Sequence, residues 1–238
     1  MSEKRAKRKL TAILSADVKG YSRLMGEDEL STVETLKQYR EIFGNLVTDY
    51  QGRVIDSPGD NVVIVGAGTI GLSTLQAARA SGARKIMVAE MAEARKEYAK
   101  KLGATMVFDP TEVNVPEEVL KATDGVGADL GFECVGNPKT ATLALDSVRR
   151  GGRMVVLGVF EKPTEINLNF CVFFEKEIIG SLGYNDEFAT VLSYLVDGRL
   201  QADPMITGKI SLNDLLDKGF TELIKNKDRN IKILVSPQ

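Results

Sequence analysis

Three glycines and one acidic residue carry the strongest chemical signal in the sequence. Gly66, Gly68 and Gly71 form a G-x-G-x-x-G turn after an apolar run at residues 62–65, and Glu90 closes the next apolar run. In a dinucleotide-binding turn, one glycine permits the bend, one lets backbone amides approach a pyrophosphate, and one lets helix and strand pack closely. An acid about 20 residues farther on hydrogen-bonds the adenosine ribose. The spacing predicts an NAD site, and the charge of Glu90 disfavours the extra phosphate of NADP.

Alternating strands and helices surround this turn and would hold it in place. Six runs are predicted to be strands, beginning at Val62, Ile86, Met106, Leu130, Met154 and Ile178. A helix over 139–148, closed by Gly151 and Gly152, precedes a strand over 153–159. Such alternation produces crossover connections and a parallel sheet with helices on both faces. We predict an α/β fold with a doubly wound, six-stranded Rossmann sheet, an N-terminal strand–helix–strand fragment and a C-terminal helix and strand return.

Composition is that of an ordinary globular protein. The 238 residues are 43% hydrophobic and 27% charged, with a net charge of −2. No basic excess predicts nucleic-acid binding, and no apolar run reaches the roughly 18 residues of a membrane span. The basic start, MSEKRAKRKL, lacks the apolar segment of a signal peptide and is interpreted as a solvated arm. Cys134 and Cys171 lie in apolar settings, which predicts buried free thiols in a reducing cytoplasm.

The sequence contains no histidine. This excludes histidine-based acid–base chemistry, Ser-His-Asp triads and metal sites that need imidazole. Cys134 is disfavoured as a nucleophile because it lies on a predicted buried strand without a paired base. No catalytic residue is therefore assigned.

The first part of the chain contains AILSADVKGYSRLMGEDE and GRVIDSPGDN. Over residues 8–61 it resembles the start of the class III nucleotide cyclase catalytic domain. The resemblance implies that Asp17 and Asp60 stand where that family holds two metal ions, a task suited to carboxylates. The simpler alternative is that Asp17 ends a strand and Asp60 lies in a turn. Beyond Asn61 the cyclase pattern stops, so we expect no cyclase activity from this chain alone; the alternative function is a signalling protein that pairs with a complete cyclase domain.

The remaining residues, 59–238, carry the motifs GDNVVIVGAGTIG, GADLGFECVGN, LDSVRRGGRMVVLGVFEKP, EIIGSLGY and GFTELIKNKDRNIKILVSP. They resemble the cofactor domain and C-terminal return of zinc-type medium-chain alcohol dehydrogenases, closest to the butanediol and threonine dehydrogenase branch. The resemblance implies NAD-linked oxidation of a secondary alcohol such as 2,3-butanediol, and a homo-oligomer with subunit contacts near residues 178–184. It also implies that the return contains helices over 186–198 and 211–226 and a final strand over 231–235. The implied cofactor contacts are Gly66, Gly68, Thr69, Ile70, Gly71, Glu90, Arg95, Cys134, Val135, Gly136, Gly158, Val159, Ser181, Leu182 and Gly183. For Arg95, a solvated helix face is an equal alternative.

The ligands of that family's catalytic zinc have no counterpart in this sequence. They come from an N-terminal domain, and the cyclase-like segment stands in that place. Catalytic zinc needs three protein ligands, but this chain has no histidine and both cysteines fall at cofactor-domain positions. We therefore expect three regions, 1–58, 59–183 and 184–238, joined as a chimera near residues 59–61. Such a cytoplasmic protein would bind NAD, and it would be inactive or would depend on another subunit for turnover; its substrate stays open.

Overall fold

The computed structural model describes residues 28–49 and 61–237. The chain divides into two units, Met1–Arg53 and Val54–Gln238. In the first unit, the described residues form helix α1 (Glu29–Asp49), as the apolar spacing predicts. The predicted strands over 10–18 and 53–56 lie outside the described residues, and so do Asp17 and Asp60.

Six parallel strands form the main sheet of the second unit: β1 (Asn61–Val65), β2 (Lys85–Ala89), β3 (Met106–Phe108), β4 (Ala128–Glu133), β5 (Val148–Val156) and β6 (Glu177–Gly180). Their order across the sheet is β3-β2-β1-β4-β5-β6. The chain runs outward from β1 to β3, returns to the other side of β1, and runs outward again to β6. This confirms the predicted doubly wound α/β fold. The reversal between β1 and β4 opens a crevice at the carboxyl ends of these strands, where such sheets bind ligands.

Helices cover both faces of the sheet: α2 (Thr69–Ala80), α3 (Glu93–Leu102), α4 (Val115–Ala122), α5 (Pro138–Ser147) and the short α6 (Asn169–Phe174). Successive strand side chains point to opposite faces, which gives two cores. The core beneath α2 and α3 includes Val62, Ile64, Leu72, Leu75, Ile86, Val88, Ala99 and Leu102. The core beneath α4 and α5 includes Val63, Val65, Met87, Ala89, Val115, Val119, Ala144, Leu145 and Met154. Burial on both faces explains why these strands read as continuous apolar runs.

The C-terminal return contains α7 (Phe188–Val196), β7 (Ile206–Ser211), α8 (Glu222–Lys225) and β8 (Lys232–Ser236). Strands β7 and β8 pair in parallel as a second, two-stranded sheet. The helix predicted over 186–198 and the final strand are present, whereas β7 and α6 were not predicted. The helix predicted over 211–226 is instead a 3₁₀ turn, a π-helical stretch and α8 in succession. Among the described residues, no helix combines the length and apolar character needed to cross a membrane.

Strand β5 differs from its prediction at both ends. Val148 pairs with Ala128 and Arg153 with Leu130, so the strand passes through an irregularity that contains the two glycines expected to end the preceding helix. At the other end, the amides of Leu157 and Gly158 both donate to the carbonyl of Glu133, which ends the regular pairing. Both differences depend on β4, and the local sequence does not reveal them.

Candidate functional site

The glycine turn joins β1 to α2 at the edge where the strands end. Gly66 has φ +95°, a left-handed conformation that L side chains rarely adopt. A Cβ at Gly71 would lie 1.8 Å from the carbonyl oxygen of Gly66, so helix and turn approach this closely only with glycine. Helix α2 is N-capped by Gly68, which has no side chain to bond the first-turn amides. Those amides and the positive end of the helix dipole suit an anionic group such as a pyrophosphate.

Glu90 follows β2 and bonds directly to the glycine turn. Its Oε2 accepts from the amide of Ala67 at 2.8 Å, and its Oε1 accepts from the amides of Met91 and Ala92 at 2.8 and 2.9 Å. The amide of Glu90 donates to the carbonyl of Phe108 at 3.0 Å, which ties this segment to β3. A carboxylate oxygen accepts at least two hydrogen bonds, so Oε2 retains capacity for a hydroxyl donor. The structure therefore brings Glu90 to the place that the motif spacing predicts.

The turn after β4 contacts both the glycine turn and the turn after β5. A Cβ at Gly66 would lie 2.5 Å from Cγ2 of Val135, so the Val135 side chain packs against the glycine turn. Gly136 has φ +85°, and a Cβ there would lie 2.2 Å from the carbonyl oxygen of Val159. The Val159 side chain is 77% exposed at this edge. The glycine turn, the turn at 134–136 and the turn at 158–159 thus contact one another at the crevice.

Cys134 lies in the same turn, but its thiol is not activated as a nucleophile. Its amide donates to the carbonyl of Val65 at 3.0 Å, and its Sγ lies 4.0 Å from the hydroxyl of Thr74 on α2. Burial raises the pKa of the Cys134 thiol to about 12. A thiol is a poor nucleophile when so little of it is ionised.

Two predicted contact residues bond to the C-terminal return. The Arg95 guanidinium donates to the carbonyls of Lys227 and Asn230, and its Nη1 lies 3.8 Å from where a Cβ on Gly68 would be. Arg95 is thus half-buried between the glycine turn and the return. The hydroxyl of Thr69 donates to the carbonyl of Ile231 at 2.7 Å.

The other predicted residues lie along the same edge of the sheet. Ile70 is exposed on the first turn of α2. The amide of Ser181 donates to the carbonyl of Val156 at 3.1 Å, which places residues 181–183 at the end of β6. Leu182 is 92% exposed, and Gly183 has φ +76°. This segment is two strands away from β4 in the sheet.

Glu133, the last residue of β4, was missed by the sequence analysis. Its side chain is fully buried, and its Oε1 accepts from the amides of Val135 and Gly136 at 2.9 Å each and from the hydroxyl of Thr140 at 2.7 Å. Its Oε2 has no partner among the described residues and lies against Gly158, where a Cβ would be 2.4 Å away. The signal was present: an acid closes the apolar strand ADLGFE immediately before a predicted contact turn.

The described residues do not provide a zinc site. Within residues 28–49 and 61–237, no group of three or more histidine, cysteine, aspartate or glutamate side chains is placed to hold a metal ion. Cys134 packs with the core beneath α2 and α3, whereas Cys171 packs with the core on the opposite face, so the two thiols cannot share an ion. This donor set does not fit catalytic zinc, which needs three protein ligands.

Comparisons with known proteins agree on one family. The sequence model of the zinc-binding dehydrogenases matches residues 69–197. The (R,R)-butanediol dehydrogenase of Bacillus subtilis (strain 168) is 39% identical over 180 residues, which are 75% of this chain and 51% of that protein. The L-threonine 3-dehydrogenase of Pyrococcus furiosus is 37% identical over 68% of this chain and 47% of its own length. The crystal structure of 2R,3R-butanediol dehydrogenase from Bacillus subtilis has a TM-score of 0.71 at 37% identity and covers 77% of this chain and 52% of that one. The chain thus spans about half the length of the curated relatives it matches.

Proposed function

Because the chain belongs to the zinc-binding dehydrogenase family, we propose that it is the NAD(H)-binding part of a dehydrogenase acting on secondary alcohols. One observation carries the proposal: the Glu90 carboxylate bonds the amide of Ala67 inside a turn that only glycine can form at Gly71. This geometry supports the proposal, because a helix N-terminus suits an anionic group and a neighbouring carboxylate suits a ribose hydroxyl.

Each part of the dinucleotide has a proposed set of residues. The first-turn amides of α2, from Thr69 to Gly71, donate to the pyrophosphate, and Arg95 borders the adenosine side. Glu90 accepts hydrogen bonds from the adenosine ribose. The turns at 134–136, 158–159 and 181–183 line the other half of the crevice. When bound, NAD accepts a hydride; the residues of this chain bind it and fix its orientation.

Glu90 is proposed to select NAD over NADP. NADP carries a phosphate on the ribose hydroxyl that Glu90 would accept from, and two negative charges at hydrogen-bond distance repel each other. The family uses both dinucleotides, so this selection is a property of the particular acid at position 90.

The alcohol-oxidising half of the reaction is proposed to depend on parts outside the described residues. The butanediol and threonine dehydrogenases that match this chain suggest a small diol or hydroxy compound as substrate. Because the donor set among the described residues does not fit zinc, we propose that the chain alone binds NAD with little or no turnover, or that another subunit completes the site.

A homo-oligomer and the three-region organisation are also proposals. Strand β6 lies at one edge of the sheet, and the neighbouring α6 exposes Val172 and Phe173, which suits an interface between copies. The boundaries 1–58, 59–183 and 184–238 are proposed from the motifs. The family match begins at residue 69, so the cyclase-like segment and the join near 59–61 rest on the sequence motifs alone.

Calorimetric titration of the whole chain with NAD and NADP tests the proposed function. We expect NAD to bind at least about tenfold more tightly than NADP, because only NADP places a phosphate against Glu90. Glu90→Gln should weaken NAD binding and narrow the gap between the two cofactors. Gly71→Ala should abolish binding of both, and Gly44→Ala in helix α1, where a Cβ would meet nothing within 4 Å, is the matched control. A folded chain that binds no NAD at millimolar concentration would exclude this function.

A further inference from the structure

Glu133 combines complete burial with three hydrogen bonds to one oxygen. Burying a carboxyl group is costly unless hydrogen bonds compensate for the lost water. All three donors, the amides of Val135 and Gly136 and the hydroxyl of Thr140, belong to the turn after β4 and the first turn of α5. The side chain therefore fixes the path of the chain between β4 and α5.

This turn lies on the side of the crevice opposite Glu90. The sheet order places β2, with Glu90 at its end, on one side of β1, and β4 and β5 on the other. If adenosine lies over β1 and β2, the nicotinamide half must extend over β4 and β5. The turn fixed by Glu133 borders that half through Val135 against Gly66 and through Gly136 against the carbonyl of Val159.

We propose that Glu133 is a positioning residue for the nicotinamide half of the dinucleotide site. It holds the turn after β4 so that Val135 and Gly136 shape the floor of the crevice, and it touches no ligand itself. The proposal rests on the proposed function and adds a residue that the dinucleotide motif does not contain.

The length of the Glu133 side chain, rather than its charge, is the property that holds the turn after β4. The Oε1 that accepts all three bonds is at the end of the side chain, and Oε2 fills the space left by Gly158. Glutamine keeps the length and one oxygen acceptor, whereas aspartate keeps the charge but is one methylene too short. Glu133→Gln and Glu133→Asp therefore separate the two properties, and Thr140→Val removes one donor while leaving Glu133 in place.

Calorimetric titration with NAD and with AMP, which is NAD without its nicotinamide half, tests the proposal. We expect Glu133→Gln to bind both ligands within about threefold of the unaltered chain. Glu133→Asp should bind AMP within about threefold but NAD at least about tenfold more weakly, because the lost bonds free only the turn after β4. Thr140→Val should show the same selective loss to a smaller extent. Thermal unfolding by circular dichroism establishes that each variant is folded, and Thr140→Val carries the test if Glu133→Asp does not fold.

Three results would overturn the proposal. Glu133→Asp or, where it does not fold, Thr140→Val could bind NAD as tightly as the unaltered chain. Either variant could lose affinity for AMP and for NAD by the same factor. In that case Glu133 supports the fold as a whole and does not position the nicotinamide half. An unaltered chain that binds neither ligand would refute the proposed function as well, and this failure is recognised before any variant is made.

Discussion

At the scale of single residues, Asp109 shows how a loop carboxylate can stabilise the sheet edge. It follows β3, and its Oδ1 accepts from the hydroxyl and the amide of Thr111 at 2.6 and 2.9 Å. Its Oδ2 pairs with Nζ of Lys96 on α3 at 3.0 Å. The Thr111 hydroxyl, the Thr111 amide and Lys96 together lower the pKa of Asp109 to about 2. The charged form is therefore favoured in the folded protein.

This lowered pKa predicts a loss of stability in acid. A carboxyl with a lower pKa in the folded than in the unfolded chain stabilises the fold above its unfolded pKa, and that contribution disappears as the pH falls through the folded pKa. We expect the Tm to decrease as the pH falls from about 4 to about 2. Asp109→Asn keeps an acceptor for Thr111 but has no charge to lose, so its Tm should decrease less over the same interval. Equal slopes for both proteins, followed by circular dichroism, would contradict the assignment.

The residues that could be predicted are those whose partners are near in sequence. Gly66 and Gly71 meet because both belong to one turn, and Glu90 closes the strand beside it. Glu133 also bonds to residues near it in the sequence, so its signal was present, but its complete burial against Gly158 depends on another strand and could not be predicted from the local sequence. The bonds of Arg95 could not be predicted either, because its partners, Lys227 and Asn230, lie in the C-terminal return.

At the scale of elements, the amino ends of β1, β4 and β5 are joined by one buried carboxylate. Asp129 accepts from the amide of Asn61 at 2.9 Å and from Nε of Arg149 at 2.7 Å. The Asp129 side chain is 6% exposed. These bonds lie at the opposite end of the strands from the crevice, so they stabilise the sheet without shaping the candidate site.

Removal of this carboxylate should destabilise the protein without altering the site. We expect Asp129→Ala to lower the free energy of unfolding by about 2 kcal/mol, because the hydrogen bonds that the buried carboxylate accepts from the Asn61 amide and from Nε of Arg149 are both lost. Arg150→Ala removes an exposed pair with Glu175 and should cost less than about 1 kcal/mol. Urea denaturation measures both. Similar losses of unfolding free energy in the two variants would contradict the expected difference between the buried and the exposed ion pair. A loss of NAD affinity in Asp129→Ala would contradict the claim that Asp129 does not shape the candidate site.

The elements were predictable where a strand or helix carries its own periodic pattern. The six strands of the main sheet follow from apolar runs, and their order follows from the alternation with helices. The start of β5 could not be predicted in this way, because its irregular pairing with β4 is a property of the two strands together. Strand β7 was missed because its partner is β8, beyond three helical segments.

At the scale of the whole molecule, an edge strand and an exposed apolar helix lie side by side. Strand β6 ends the sheet, and α6 precedes it with Val172 and Phe173 that are 73% and 67% exposed. Contiguous exposed apolar surface favours association, and an unpaired strand edge can continue a sheet in another copy. These features are the physical basis of the proposed homo-oligomer.

A charge at the centre of this surface should dissociate the oligomer. We expect the unaltered chain to be a dimer or larger in size-exclusion chromatography with light scattering, and Phe173→Asp to be a monomer, because the interface would have to bury an unpaired carboxylate. Val113→Asp introduces the same charge at an exposed position in the loop between β3 and α4, and it should leave the mass of the oligomer unchanged. A monomeric unaltered chain at every concentration tested would refute the interface.

The bond between the Thr69 hydroxyl and the Ile231 carbonyl joins positions 162 residues apart. Ribosomes add roughly 5–20 residues per second, so about 8–30 s separate the synthesis of these two residues. During that interval the glycine turn exists without the segment that supports the start of its helix. The bond that ties the start of this helix to the return segment can therefore form only after that segment has left the ribosome, although the turn itself is encoded much earlier. Translation speed thus sets the earliest time at which these two parts of the chain can join.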